Sequence, residues 1–287
     1  MFTPQIRYSV ISDNLRQLDR SALRLRELRE SHISDAAHLF ADRLDTLAQQ
    51  HVSAADAWRT ALEDAHRLGA HRLADEWDRS AFCRLLSARL GAARMRGLLS
   101  LLPAAAPVCR VALLPHPVFA EALGRLPLPA NTERVFARDM GEICRMAAAE
   151  ADTACLLPLF SEEGEPLFRT YKLAQAEGLF LCGIAHTGEG EGLCGLFSCG
   201  PLPDLYTAAS FILYPEGEMT EMAALCISTQ KEETVLNPVP LRRENRTDVR
   251  LMLSVPDEAA LTNCLLRSLL FFPSVRIAGL CPVPELL

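Results

Sequence analysis

Between Arg134 and Gly183 the chain alternates short apolar runs with amphipathic stretches, a pattern that few folds accept. Arg134 to Ala137 reads as extended. Asp139 can cap a helix whose apolar positions, Met140, Ile143 and Met146/Ala147, recur every three to four residues. Asp152 closes that helix. Thr153 to Leu159 is a continuous apolar run, as expected of a strand buried on both faces. Ser161, Glu162, Glu163 and Gly164 make a polar turn. A second helix follows through Leu167, Tyr171 and Ala174 and stops at Gly178, and Leu179 to Ile184 is the next buried run. Strand and helix in this order predict a parallel α/β layer. The turn after an inner strand is where such layers bind ligands.

The residues before this stretch are of another kind. No Gly or Pro occurs between Gln5 and Gly69. Ser12 or Asp13 can cap a helix in which Leu15, Leu18, Ala22 and Leu25 form an apolar stripe. Ala37, Phe40, Leu44 and Leu47 continue it in a shifted frame, so one long helix to about Gln50 is expected. Ser53 with Asp56 has the spacing of a capping box. The second helix would carry Trp58, Leu62, Ala65, Gly69, Leu73 and Trp77 on one face. A third would run from about Ser80 to Leu102, before the linker Pro103 to Pro107. The long first helix cannot bury its stripe alone, which predicts a homodimer through the amino-terminal helices.

With 287 residues the chain has room for two or three small domains. Its net charge of −7 argues against nucleic acid or an anionic membrane as a partner. No leader pattern and no apolar run of spanning length is present, so a cytoplasmic protein is expected. The ten cysteines are scattered through apolar segments, among them Cys144, Cys155, Cys182, Cys226 and Cys264, without a CxxC pair. Reduced core thiols are the expectation, with no metal and no cofactor. His66 and His71 share a helix, but their spacing does not align them on one metal.

After the linker, Val108 to Leu114 is a strand, His116 stands at its end and Val118 to Leu126 is a short helix. A lone His there is an active-site base or, more commonly, a solvated turn residue. Gly190, Gly192 and Gly195 spell GxGxxG, but two glutamates stand where a pyrophosphate would lie. Pro201 and Pro203 follow where a helix should begin, so a hairpin tip is expected instead of a dinucleotide site. Ala208 to Tyr214 and Met222 to Thr229 read as strands and Lys231 to Thr247 as a polar connector. Asp248 to Val255, a helix capped by Asp257 through Leu261, Leu265 and Leu269, and Val275 to Leu280 form a β–α–β unit.

The blocks Arg138-Asp139-Met140, Ala151-Asp152, Leu157-Pro158-Leu159, Ser161, Gly164 and Thr170-Tyr171 resemble, in order and spacing, a segment of the prephenate dehydratases. Upstream, Leu15, Leu18-Asp19-Arg20, Leu23, Leu25 and Arg29 resemble the first helix of the all-helical chorismate mutases. Phe82 to Arg89 echoes their last helix. Downstream, Arg246-Thr247, Leu253-Ser254, Asp257, Ala260-Leu261 and Pro282 resemble the front half of a regulatory ACT domain. The chain is therefore similar to the bifunctional chorismate mutase–prephenate dehydratase family. The resemblance implies an α+β multidomain protein: a three-helix mutase-like bundle over 1–102, a truncated single-lobed dehydratase-like α/β module over 108–215 and a partial ACT-like βαβ unit over 216–287.

The function implied is aromatic amino-acid, specifically phenylalanine, biosynthesis with lost or reduced catalysis. The alternative is a non-catalytic ligand-sensing or interaction scaffold. If the protein is an enzyme, it is a mutase or a dehydratase, and Arg29, Ser161 and Thr170 are the candidate catalytic residues. Chorismate, prephenate or phenylalanine are the candidate ligands. The mutase reaction is a rearrangement, so its site needs cations to clamp two carboxylates rather than a nucleophile. Only Arg29 matches such a cation: the family's first Arg falls on Ser12, its Lys on Phe40 and its terminal Gln near Ala93. The dehydratase Thr-Arg-Phe triplet is Ala209-Ser210-Phe211 here. Phe160 replaces the Asn beside Ser161, and Glu162, Glu163 and Glu165 would repel a dianion. The phenylalanine-binding positions of the ACT unit are likewise replaced, by Ala259 and by Gly279-Leu280-Cys281.

Overall fold

The computed structural model describes residues 4–69, 76–104, 107–160, 168–187, 192–202, 209–215, 234–243, 246–255, 257–271 and 275–282. Helix α1 runs over Pro4–Gln49, 46 residues in all. It starts before the expected caps at Ser12 and Asp13, because nothing between Gln5 and Gly69 interrupts it. Ser53 then caps α2 (Ala54–Arg67): its Oγ accepts from the Asp56 amide at 3.2 Å and donates to Asp56 Oδ2 at 2.7 Å. Helix α3 is Glu76–Met95, followed by a 3₁₀ turn over Arg96–Leu101. The expected second helix is therefore too long. Trp77 belongs to α3, which itself bends where Gly91 adopts a φ of +69°. Leu73 and His71 lie outside the described residues.

The expected alternation follows: β1 (Arg110–Leu113), α4 (Pro117–Gly124), β2 (Glu133–Phe136), α5 (Met140–Ala149), β3 (Thr153–Phe160), α6 (Phe168–Ala176) and β4 (Phe180–His186). Asp139 caps α5 as expected, accepting from the Glu142 amide at 2.8 Å, while Glu142 reaches back to the Arg138 amide at 2.8 Å. Then come β5 (Leu193–Ser198), β6 (Ala209–Pro215), β7 (Thr234–Arg243), β8 (Arg246–Val255), α7 (Glu258–Phe271) and β9 (Val275–Pro282). Asp257 accepts from the Ala260 amide at 2.8 Å, which caps α7.

All these strands form one mixed sheet in the order β2-β1-β3-β5-β4-β9-β6-β8-β7. β1 is parallel to β2 and β3, but β5 runs antiparallel between β3 and β4. The purely parallel layer expected from the sequence is corrected by that inserted strand. Gly195 makes the insertion possible, since a Cβ there would stand 2.7 Å from Leu181 Cδ1 and 2.9 Å from Leu159 Cδ1. The span expected to be a connector contains β7, an edge strand. An edge tolerates Pro238 and Pro240 because one side of the strand donates to no ladder, and the register shifts between Leu236 and Val239. The expected strand Met222–Thr229 lies outside the described residues.

Helices α1 to α3 do not close a core by themselves. Their buried cluster, from Ile33 to Leu98, also contains Leu261, Leu265, Leu266 and Phe271 of α7, with Phe180 and Leu280 from the sheet. Polar contacts fix α7 in this layer. His66 Nε2 lies 2.9 Å from the Leu269 and Leu270 carbonyl oxygens, Ser87 donates to Asn263 at 2.6 Å, and Arg96 pairs with Glu258 at 2.6 Å. A second cluster sits between the sheet and α5 and α6, and a third under α4. Among the described residues no helix is long and apolar enough to cross a membrane.

The cysteines in the described residues are free, and most are buried. Burial pushes the Cys182 and Cys194 thiols up to about 12 from 9.0. At neutral pH these two are expected to resist alkylation until the protein unfolds, whereas the exposed Cys109 reacts in the native state. Peptide mass mapping after timed labelling checks this. The folded thiols keep protons that unfolded ones release, so stability holds below pH 9 and declines as pH rises towards 12.

Candidate functional site

The helical layer forms an open-sided cavity of about 620 Å³ between α1, α2 and α3. Its floor is apolar. Phe40 and Phe82 meet edge-to-face with centroids 6.4 Å apart, and Phe40 leans on Trp58 at 5.9 Å. Ile33, Ala61 and Ala65 complete it. The rim is charged: Arg43 pairs with Asp64 at 2.9 Å and Arg67 pairs with the same carboxylate at 3.3 Å, while His32 lines the cavity from α1. Among the described residues, two guanidinium groups around one carboxylate leave a single net positive charge over an aromatic floor. Such a rim can accept one anionic group, and its Asp64 can accept one ammonium.

Arg29 lies one turn before Ile33 on α1. It is half-exposed and makes an ion pair with Asp78 of α3, a carboxylate that is itself largely buried. It also borders a hollow with Ala22, Leu25 and Arg26. Arg29 is thus engaged across α1 and α3, and a substrate carboxylate would have to displace Asp78. Phe40, at the position of the family's Lys, is buried in the floor and adds no cation.

The carboxyl edge of β1, β3 and β4 is a second candidate site, since sheets of this kind bind ligands there. His116 caps α4, with Nδ1 accepting from the Val118 amide at 3.4 Å, a structural role rather than that of a base. Thr170 is buried in the first turn of α6, which packs on β3 and α5. His186 ends β4. Its Nε2 is buried without a hydrogen-bond partner among the described residues, and its carbonyl accepts from Arg125 at 3.2 Å. Ser161 lies outside the described residues.

Arg29 and Thr170 therefore belong to different parts of the fold, one to the helical layer and one to the helices on the sheet. Ser210 is farther along the sheet, in β6 between β8 and β9. The sequence reading passed over Arg43, Asp64 and Arg67, which carry the cavity's charge. The signal was faint: Asp64 and Arg67 share one turn of α2, but Arg43 comes from another helix. His186 was also unassigned, although it ends a buried run. Among the described residues no group of His, Cys, Asp or Glu is arranged to hold a metal ion.

No protein-family model matches the chain, and no curated protein does. Among solved structures it is similar to prephenate dehydratase from Streptococcus mutans, with a TM-score of 0.48 and 11% identity over 61% of this chain and 98% of that one. It is similar to prephenate dehydratase from Staphylococcus aureus subsp. aureus Mu50, with a TM-score of 0.44 and 10% identity over 60% and 99% of the two chains. A further likeness is to GqqA, described as a novel type of quorum-quenching acylase, with a TM-score of 0.44 and 14% identity over 61% and 95%.

Proposed function

We propose that the protein is a ligand-sensing scaffold whose helical cavity takes an aromatic α-amino acid of the phenylalanine type. The observation that carries this reading is the Arg43–Asp64–Arg67 rim over the Phe40–Phe82 floor. A ligand carboxylate would meet the guanidinium groups, its ammonium Asp64, and its ring the aromatic floor. Chorismate and prephenate fit poorly, because each is a dianion and the described rim carries one net positive charge. In this reading segments 1–102, 108–215 and 216–287 are remnants of the mutase, dehydratase and ACT units. The chain is a divergent relative of phenylalanine biosynthesis in the cytoplasm, with catalysis lost.

Thermal unfolding with phenylalanine, tyrosine, chorismate and prephenate tests the reading. A ligand at 100 times its dissociation constant adds about 2.7 kcal/mol to the native state. Phenylalanine is expected to raise the midpoint, and Asp64→Asn to abolish the rise, while Arg29→Ala keeps it. A shift with chorismate alone, or turnover of chorismate lost in Arg29→Ala, overturns the sensor in favour of a working mutase. A second reading, residual dehydratase chemistry, is favoured by buried Thr170 and by His186 Nε2, buried with no hydrogen-bond partner among the described residues, along the carboxyl edge. It predicts conversion of prephenate that Thr170→Val removes.

A further inference from the structure

Three thiols converge between α5 and the β3–β5 pair. Cys144 lies in the middle of α5 and Cys155 near the start of β3, and both are fully buried in the cluster between these elements. Cys155 stands opposite Phe197 of β5. Cys199 follows two residues later, just past the end of β5, and side chains two apart share one face of a strand. Its thiol donates to the Ala147 carbonyl at 3.4 Å, in the last turn of α5, and of the three it alone reaches solvent. Cys182 belongs to the opposite face, in the cluster under α4, where it donates to the Leu196 carbonyl and accepts from Ser198 Oγ, each at 3.3 Å. The inner pair is asymmetric. A hydrogen bond between the Cys144 and Cys155 thiols holds Cys144 below its ordinary value and, together with burial, pushes Cys155 well above it. Cys155 therefore keeps its proton and donates, while Cys144 accepts and has thiolate character. From the surface inward the three form a graded series.

We propose that Cys199, Cys155 and Cys144 form an oxidation site for hydrogen peroxide and small alkyl hydroperoxides, which ends as a disulfide between Cys144 and Cys155. The Cys199 sulfur attacks a peroxide oxygen; the O–O bond breaks, water or the alcohol leaves, and Cys199 becomes a sulfenic acid. The Cys155 sulfur then attacks the Cys199 sulfur, and the Cys155 proton leaves with the hydroxyl group as water. Cys144 attacks the Cys155 sulfur in turn and displaces Cys199, which recovers a proton and is a thiol again. One hydroperoxide is reduced, two thiols are oxidised, and Cys199 is returned unchanged. The order follows the structure: the thiol that meets solvent takes the oxygen, and the sulfur in contact with Cys155 closes the final bond. That bond clamps α5 to β3. The relay does not depend on what the helical cavity binds.

Non-reducing peptide mass mapping of the full chain after exposure to hydrogen peroxide tests the relay, with circular dichroism to confirm folding. The parent protein carries Cys109→Ser, so that this exposed thiol does not compete. It is expected to yield a Cys144–Cys155 disulfide, with Cys199 recovered as a thiol and Cys182 still reduced. Cys199→Ser should slow that disulfide at least about tenfold, because the buried pair loses its contact with solvent. Cys144→Ser should stop the relay one step earlier, at a disulfide between Cys155 and Cys199. The absence of a Cys144–Cys155 disulfide in the folded parent, an unchanged rate in Cys199→Ser, or Cys199 accumulating as sulfinic acid in the parent overturns the proposal. The parent and Cys199→Ser decide the matter even where Cys144→Ser does not fold. The buried thiols would then be packing groups alone.

Discussion

Phe82→Ala is expected to lower the unfolding free energy by about 3–5 kcal/mol, the range for emptying a buried aromatic site. Phe82 is 2% exposed and sits between two rings that come from distant parts of the chain. It meets Phe40 of α1 at 6.4 Å and Phe271 of α7 at 6.3 Å, both edge-to-face. Truncation removes the buried surface and both ring contacts, each worth about 0.5–1.5 kcal/mol beyond area. Relaxation cannot refill the gap easily, because three helices hold its walls. Urea unfolding monitored by circular dichroism gives the value directly. A loss below about 1 kcal/mol would contradict the packing of Phe82 between these two rings.

Gly279→Ala is expected to cost about 3 kcal/mol, the upper range for overpacking. Gly279 is the residue of β9 that registers with Leu181 of β4, and this pairing joins the two halves of the sheet. A Cβ there would stand 2.7 Å from Leu181 Cβ and 2.9 Å from the Leu181 carbonyl oxygen. Neither atom is the free end of a side chain, so the strands themselves must separate. Hydrogen exchange should accordingly rise in β6, β8 and β9 more than in β1 and β3. Gly124→Ala is the control: a Cβ at that position meets nothing within 4 Å, and stability should stay within about 0.5 kcal/mol. Equal losses in both variants would contradict the seam.

What was legible in the sequence was local. The caps at Ser53, Asp139 and Asp257 are side chain-to-backbone contacts within three residues, so their spelling suffices. The runs that became β3 and β4 announce burial by composition. What failed depended on neighbours far along the chain. The hairpin tip expected over the GxGxxG stretch lies between β4 and β5, which pair antiparallel out to His186 and Leu193, but β5 itself was missed: Gly195 weakens a strand on paper, yet its bare Cα is what Leu159 and Leu181 require. β7 looked like a connector because its prolines are harmless only at an edge that the sequence does not reveal. Of the candidate site, Arg29 was legible as an inward cation, but its partner Asp78 is 49 residues away. The cavity's rim was not legible either, since Arg43 and Asp64 meet only when α1 and α2 pack.

The docking of α7 among the first three helices has a consequence for how the protein is made. His66 and its carbonyl partner Leu269 are separated by 203 positions. At 5–20 residues per second, a ribosome that has released α2 needs roughly 10–40 s more to deliver the helix that finishes that layer. Throughout that interval the faces of α2 and α3 that will receive α7 stand open, with Phe82 among their side chains. The nascent amino-terminal third is therefore a natural client for a holdase chaperone, and truncated chains that end before α7 should be marked for proteolysis.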